Sequence, residues 1–308
     1  MARPFRFGLA LPYALVDDPV GVAVRAEQIG FDVVVQGDHV GAEHSPMLTL
    51  AAVASVTGRI RLSTFVLNAD VRNPTQLAWE AVALDHLSDG RFELGVGAGH
   101  TPQEYDALGM TQHPAVVRKR RLIEAVEVVR RLVDGETVTV DGEFFLLSGA
   151  HVGASVQQRL PILVGGNGAT LLEHAGRHAD IVGLSGSGRT LDDGHRHEVH
   201  WTLEYLDRQI EQIRRGAGDR FDQIELNALV QRVEVTDDRN ASLDAMCAHL
   251  PGLNRSDAGS VPYMLIGTID EIVEQLHGAR QRWGITYFVV RDLDTFTPVL
   301  HTLRQTEI

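Results

Sequence analysis

Short apolar runs alternate with longer amphipathic runs along nearly the whole chain, and this alternation limits the fold more than any other feature. Phe5–Leu11 (FRFGLAL) is a β run. The segment from Pro19 repeats apolar residues at helical spacing (Val20, Ala23, Val24, Ala26, Ile29) and stops at Gly30. Asp32–Gln36 (DVVVQ) carries three consecutive valines, the signature of a parallel strand buried on both faces. The pattern then predicts helices over Met47–Thr57, Pro74–Leu87, His113–Val133, Ala169–His178, His195–Arg215, Thr268–Trp283 and Thr295–Arg304. It predicts strands over Ile60–Asn68, Arg91–Gly97, Leu160–Gly165, Asp180–Leu184, Gln223–Glu234 and Ile285–Arg291. Eight strand positions, near residues 7, 33, 63, 93, 162, 182, 228 and 287, alternate with helices. Right-handed βαβ crossovers then give a parallel sheet, and eight units in 308 residues match a closed (β/α)8 TIM barrel. An open doubly wound sheet is the rival, but no G-x-G-x-x-G follows the first strand.

Three stretches interrupt the alternation within what reads as one domain over residues 1–308. Residues 135–149 (GETVTVDGEFFLLSG) alternate with period two about Asp141-Gly142, a two-residue hairpin signal inserted between helix four and strand five. Residues 185–194 and 250–262 are rich in Gly, Ser, Asp, Asn and Pro, and at this length they are expected to be mobile covers.

Charge and cysteine content exclude several function classes. Lys and Arg number 28 against 41 Asp and Glu, a net charge of −13, which repels nucleic acid and anionic membranes. The basic run Arg118–Arg121 opens a helix and is expected to be a solvated face. The single cysteine, Cys247, cannot form an intrachain disulfide and has no evident base partner, so a buried structural thiol in a cytoplasmic protein is expected. The N-terminal apolar run is too short for a signal peptide, and no run reaches membrane-spanning length.

In a (β/α)8 barrel the active site is built from the loops after the strands. Reading just past each predicted strand collects Gly37, Asp38 and His39; Phe65, Val66 and Asn68, with Arg72 soon after; Gly97, Ala98, Gly99, His100, Gln103 and Glu104; Gly165, Gly166 and Asn167; and Ser185. Glycines at 95, 97 and 99 allow close backbone approach to a flat ring. Gly165–Gly168 (GGNG) directly before a helix exposes backbone N–H groups that attract phosphate or carboxylate. Tight βα turns also use glycine. His39 is a candidate proton relay or donor to an anionic ring, with Asp38 fixing its tautomer or binding the ligand, and His100 and Glu104 are further acid/base candidates.

No metal site is expected. His195, His197 and His200 are spaced i, i+2, i+5, which does not bring all three to one helix face. His174 and His178 are four apart and could share a face, but no H-E-x-x-H carboxylate accompanies them, so a solvent-facing or capping role is expected. No G-x-S-x-G elbow supports a hydrolase.

The stretches AEQIGFDVVVQGDHV, RIRLSTFVLNADVRNPTQLAWEAVALDHLSDGRFELGVGAGHTPQEYDALG, RLIEAVEVVRRL, LPILVGGNGATLLEHAGRHADIVGL and PYMLIGTIDEIVEQLHGARQRWGITYFVV, with the DGEFF hairpin, span nearly the whole chain. In this order they resemble the luciferase-like monooxygenase superfamily and, within it, the F420-dependent oxidoreductases of actinobacterial type. The resemblance implies a TIM barrel, a homodimer and a cofactor, the deazaflavin coenzyme F420, across the C-terminal mouth. It implies a cis peptide at Phe65–Val66 supporting the ring, and Asp38, His39, Asn68 and Gly97–His100 beside it. Gly165, Gly166 and Asn167 would cradle the phosphate-bearing tail. The family's sugar-phosphate dehydrogenases have Glu where this chain has His100, and a Trp absent from GDHVGAEH, so the resemblance does not extend to a sugar-phosphate substrate. The expected function is hydride transfer between F420 and a small organic substrate. An FMN-dependent monooxygenase using molecular oxygen is the alternative on the same scaffold, and a non-catalytic family member is the alternative of another class.

Overall fold

The structure, a computed structural model, describes residues 3–12, 14–41, 44–190, 197–250 and 253–306. Eight strand positions close a parallel barrel: β1 (Arg6–Ala10), β2 (Val33–Gln36), β3 (Arg61–Thr64, continued by Leu67–Asn68), β4 (Phe92–Gly97), β5 (Ile162–Gly165), β6 (Ile181–Leu184), β7 (Glu225–Leu229) and β8 (Ile285–Val290). Pairing runs β3-β2-β1-β8-β7-β6-β5-β4 and closes through Leu62 opposite Phe92. Each of the eight sequence-predicted strand positions falls in one of these strands.

The helices that matter below are α1 (Pro19–Ile29), α2 (Pro46–Val56), α3 (Pro74–Leu87), α4 (Pro102–Ala107), α5 (Ala115–Val133), α6 (Ala169–His178), α7 (Leu203–Ala217), α8 (Arg239–His249), α9 (Arg255–Ala258), α10 (Ile269–Trp283) and α11 (Leu293–Thr306). Strand residues alternate between two environments, as the period of two requires. Phe7, Leu9, Val34, Leu62, Leu94, Val164 and Phe288 pack outward against the helices. Val33, Val35, Leu163, Ile181, Tyr287 and Val289 fill the barrel.

The two ends of the barrel differ. At the N-terminal end, the Arg6 guanidinium donates to Glu93 and Glu225, and Arg61 donates to Glu93 through Nε at 2.5 Å. Burial disfavours the Arg6 charge, but these two carboxylates more than offset it and hold its pKa above the usual arginine value. This ionic layer seals the N-terminal end. At the C-terminal end the inward positions include Ala10, Gly97, Gly165 and Gly183, which are smaller than most of the residues that fill the barrel below them.

Four local expectations need correction. The run Gln223–Glu234 is two strands: β7 in the barrel, then Arg232–Val235, which pairs in parallel with Met264–Gly267 outside it. The switch occurs because Val230 N–H still donates to Val289 while Gln231 N–H donates to Tyr263 at 2.7 Å. The helix expected over His195–Arg215 starts only at Leu203, where the Thr202 hydroxyl accepts from Tyr205 N–H and caps it. His197–Val199 instead pairs antiparallel with Ser187–Thr190, so part of the loop at 185–194 is a two-stranded ribbon. Residues 191–194 and 251–252 of the expected covers lie outside the described residues.

The inserted hairpin is present, but Asp141 pairs with Leu146, so four residues rather than two make the turn. The Glu124 carboxylate of α5 accepts from Phe144 and Phe145 N–H, both at 3.0 Å, and Phe145 is buried, which holds the wider turn against the helix. No helix among the described residues is long and apolar enough to cross a membrane.

Candidate active site

The parallel barrel brings every C-terminal strand end to one rim. The site residues predicted after β2, β3, β4, β5 and β6 therefore surround the mouth. The floor lies where strand pairing is interrupted between Thr64 and Leu67 and the Phe65–Val66 peptide is cis. Val66 turns into the mouth, and the space beneath it is cleared by glycines from two neighbouring strands. A Cβ on Gly97 would lie 2.7 Å from Val66 Cγ2, and one on Gly165 would lie 3.1 Å from Cγ1. At Gly95 a Cβ would strike the Thr64 carbonyl at 1.9 Å. The glycines thus admit a neighbouring side chain and backbone first, and the surface they support is the Val66 platform.

One side of the mouth is a buried polar network. Asp38 is 8% exposed. It accepts from both Arg72 amino groups at 2.5 and 2.8 Å and from Asn68 N–H at 2.8 Å. Asn68 in turn donates through Nδ2 to the Tyr105 hydroxyl at 3.4 Å and accepts through Oδ1 from Asp70 N–H. A Cβ on Gly99 would fall 2.3–2.5 Å from the Asn68 amide, so this glycine is where the β4 loop passes over Asn68. Burial pushes the Tyr105 hydroxyl up to about 12, so it stays protonated.

Above this network His39 stands at the rim, with its Nδ1 2.6 Å from Glu104 Oε1. Glu104 is buried in the first turn of α4, and the His39 side chain is 42% exposed. A carboxylate only accepts, so Nδ1 carries the proton in this pair. His100 meets His39 edge-on, with centroids 5.8 Å apart. Asp38 is thus committed to Arg72 and Asn68, and His39 Nδ1 pairs with Glu104 instead. The sequence left Asp38 as the tautomer-fixing candidate.

The opposite side is the loop Gly165–Gly168. Gly166 and Gly168 have φ of 154° and 89°, which only glycine adopts without strain. Gly168 is the N-cap of α6 and offers no side chain to the first N–H groups, so no side-chain cap satisfies this helix end. Asn167 Nδ2 donates to the Ser187 carbonyl, which ties the loop to the ribbon after β6. Ser185 Oγ accepts from Ser187 N–H at 3.2 Å. Gln103 is exposed on α4.

The basic run on α5 does more than the solvated face expected of it. Arg118 donates to the Ala98 and Gly99 carbonyls at 3.2 and 3.3 Å, which anchors the β4 loop. Lys119 Nζ sits 3.0 Å from where a Gly168 Cβ would be, beside the open α6 N-terminus. Burial first, then the nearby Arg118 charge, lowers its pKa. Their place at the start of the helix following the β4 loop was the available signal.

The histidines read for metal binding divide differently from the expectation. His197–Val199 is a strand, so the helix-face argument does not apply, and His195 lies outside the described residues. His200 stacks on Tyr205 with centroids 4.5 Å apart. His174, expected at the surface, is only 4% exposed.

The fold has counterparts among known proteins. An F420-dependent glucose-6-phosphate dehydrogenase from Gordonia bronchialis is 32% identical over 203 residues, 62% of this chain and 60% of that protein. The chain spans between half and two thirds of the length of such curated relatives. The solved structure of an F420-dependent secondary alcohol dehydrogenase in complex with an F420-acetone adduct superposes with a TM-score of 0.75 at 20% identity, covering 98% of this chain and 100% of that one. A riboflavin lyase solved with modified FMN and riboflavin superposes with a TM-score of 0.77 at 16% identity, over 99% and 92% of the two chains. The luciferase-like monooxygenase family profile matches residues 4–287, and the chain belongs to that family.

Proposed function

We propose that the protein is an oxidoreductase that uses coenzyme F420 to transfer a hydride to or from a small organic substrate. The observation that carries this reading is the mouth itself: a Val66 platform over Gly95, Gly97 and Gly165, flanked by a proton-handling pair and an open helix N-terminus. A flat ring system with a phosphate-bearing tail fits that set of surfaces. The names of the curated relatives and of the alcohol dehydrogenase neighbour favour F420 as the ring.

In this reading the cofactor supplies the hydride-carrying carbon when bound, and the chain supplies orientation and electrostatics. Val66 supports the ring from below. Asp38 and Arg72 hold the Asn68 backbone where it borders the ring edge. Gly166–Gly168 and Lys119 receive the phosphate. Glu104 orients His39, whose Nε2 passes a proton to or from the substrate at the rim, with His100 beside it. The substrate class stays open, because His100 and residues 37–44 depart from the sugar-phosphate dehydrogenase pattern.

We further read the chain as a homodimer built on α2 and α3. Helix α2 (PMLTLAAVASV) has no charged residue, and Leu48, Val56, Trp79 and Leu87 are more than half exposed on this helix pair. Large apolar side chains exposed together on one helix pair favour an interaction surface there. One cysteine suits the reducing cytoplasm, where we place it.

Separate titrations of the purified protein with F420 and with FMN test the proposal. Saturable F420 binding with little FMN binding is expected. Tight FMN binding without F420 binding would overturn it in favour of an FMN-dependent monooxygenase, and binding of neither would favour a non-catalytic role.

A further inference from the structure

We propose that Glu127, His174 and His178 form a divalent-cation site of zinc type on the outer helical layer, pinning α6 to α5. The sequence places His174 and His178 one turn apart on α6, and the fold supplies the missing carboxylate from α5. One ligand atom from each residue lies within 4.8 Å of the others. His174 Nδ1 is 3.8 Å from Glu127 Oε1, and His178 Nε2 is 3.9 Å from the same oxygen. The two rings stack with centroids 4.4 Å apart at 26°. These N···O separations are too long for hydrogen bonds, so the three groups converge without satisfying one another.

Zinc bonds of about 2.0–2.1 Å in a tetrahedron require ligand atoms roughly 3.4 Å apart. The present separations, 3.8 and 3.9 Å to Glu127 and up to 4.8 Å within the trio, must close by about 0.4 to 1.4 Å to reach that tetrahedron, which rotation of the Glu127 and His178 side chains, 51% and 41% exposed, supplies. His174 is fixed. Its ring is buried, its Nε2 has no hydrogen-bond partner, and no hydrogen bond fills its Nδ1 among the described residues. Two imidazoles and one carboxylate suit zinc, cobalt or nickel, and the exposed side leaves room for water as a further ligand.

The protonation states agree with this geometry. Burial, then His178 and Arg177, hold the His174 pKa down to about 4. Burial also lowers His178, against the pull of Glu127 and with Arg177 and Arg220 nearby. Both rings are therefore in the neutral, ligating form at neutral pH. Arg220 is engaged with the Gly176 and Ala179 carbonyls, and Arg177 faces Glu173. Helix α6 begins at the glycine loop of the mouth, and His174 and His178 lie toward its far end. The ion is accordingly a structural pin, separate from the reaction.

Cobalt(II) titration of chelator-treated protein tests the site, read by ligand-field absorption and by thermal melting with zinc or cobalt. The expected result is one equivalent bound, four-coordinate absorption and a raised melting temperature. His178→Asn and Glu127→Gln, both at exposed side chains, should each weaken binding by about ten-fold or more while circular dichroism stays unchanged. No absorption in the wild-type protein would overturn the proposal. So would an unchanged titration in both variants, which would put the ion elsewhere, for example on the segment around His200.

Discussion

Replacing Gly97 by alanine tests the platform directly. Its φ is not in the left-handed region, so the added methyl acts through contact alone. That methyl would sit 2.7 Å from Val66 Cγ2, about 1 Å inside an ordinary carbon–carbon contact. Overpacking of this size costs about 1–3 kcal/mol. The reduced entropy of the unfolded chain offsets about 0.4–1 kcal/mol of it. A net loss of about 1–2 kcal/mol corresponds to a melting temperature about 1.5–3 °C lower in a chain of 308 residues. The relief available to the folded protein is for Val66 to rise into the mouth. A bound ring must then push it back, and 1–2 kcal/mol of added work weakens F420 binding roughly 5- to 30-fold. Thermal melting and fluorescence titration measure the two quantities. Gly278→Ala is the control: it lies within α10, and its added methyl meets nothing within 4 Å. That change should stabilise by about 0.5–1 kcal/mol and leave binding unaltered. A Gly97→Ala protein that melts and binds F420 like the wild type would refute the assignment of Val66 as the floor.

Asp38→Asn removes the negative charge opposite Arg72 and turns one of the two acceptor oxygens shared by Arg72 and Asn68 into a donor, and should cost about 2–4 kcal/mol by urea unfolding, with F420 binding lost. In the metal-free, chelator-treated protein, His174 gives a predictable acid sensitivity. Its folded pKa of about 4 lies below the ordinary 6.5, so between these values the unfolded chain binds the extra proton and stability falls as pH drops from 6.5 to 4. The loss should reach at most about 3 kcal/mol, and His174→Gln should flatten that slope; an equal slope in the variant would count against it.

The barrel was legible because a strand buried on both faces is written locally, as in the three valines of β2. The rim was legible because closure of a parallel barrel sends every loop after a strand to one end. What escaped the sequence depends on side chains arriving from distant elements. The glycines of β4 looked like room for a ligand, whereas Val66 of β3 occupies that room. Arg118 and Lys119 looked like solvated charge until the packing of α5 set them against the β4 loop and the α6 N-terminus. The Asp141-Gly142 turn widened because Glu124 of α5 captures two backbone N–H groups. The β run ending at Glu234 split because a second acceptor, the Tyr263 carbonyl, lay more than thirty residues away. None of these partners is encoded near the residue it redirects.

A crystal structure of the protein soaked with F420 is the most direct examination of the proposed chemistry. The deazaflavin ring should rest against Val66 between Asn68 and Gly165, with its phosphate at Gly166–Gly168 near Lys119 and the His39 ring at the open face. A ring bound at the ionic Arg6–Glu93 end, or a tail directed away from the α6 N-terminus, would contradict the account.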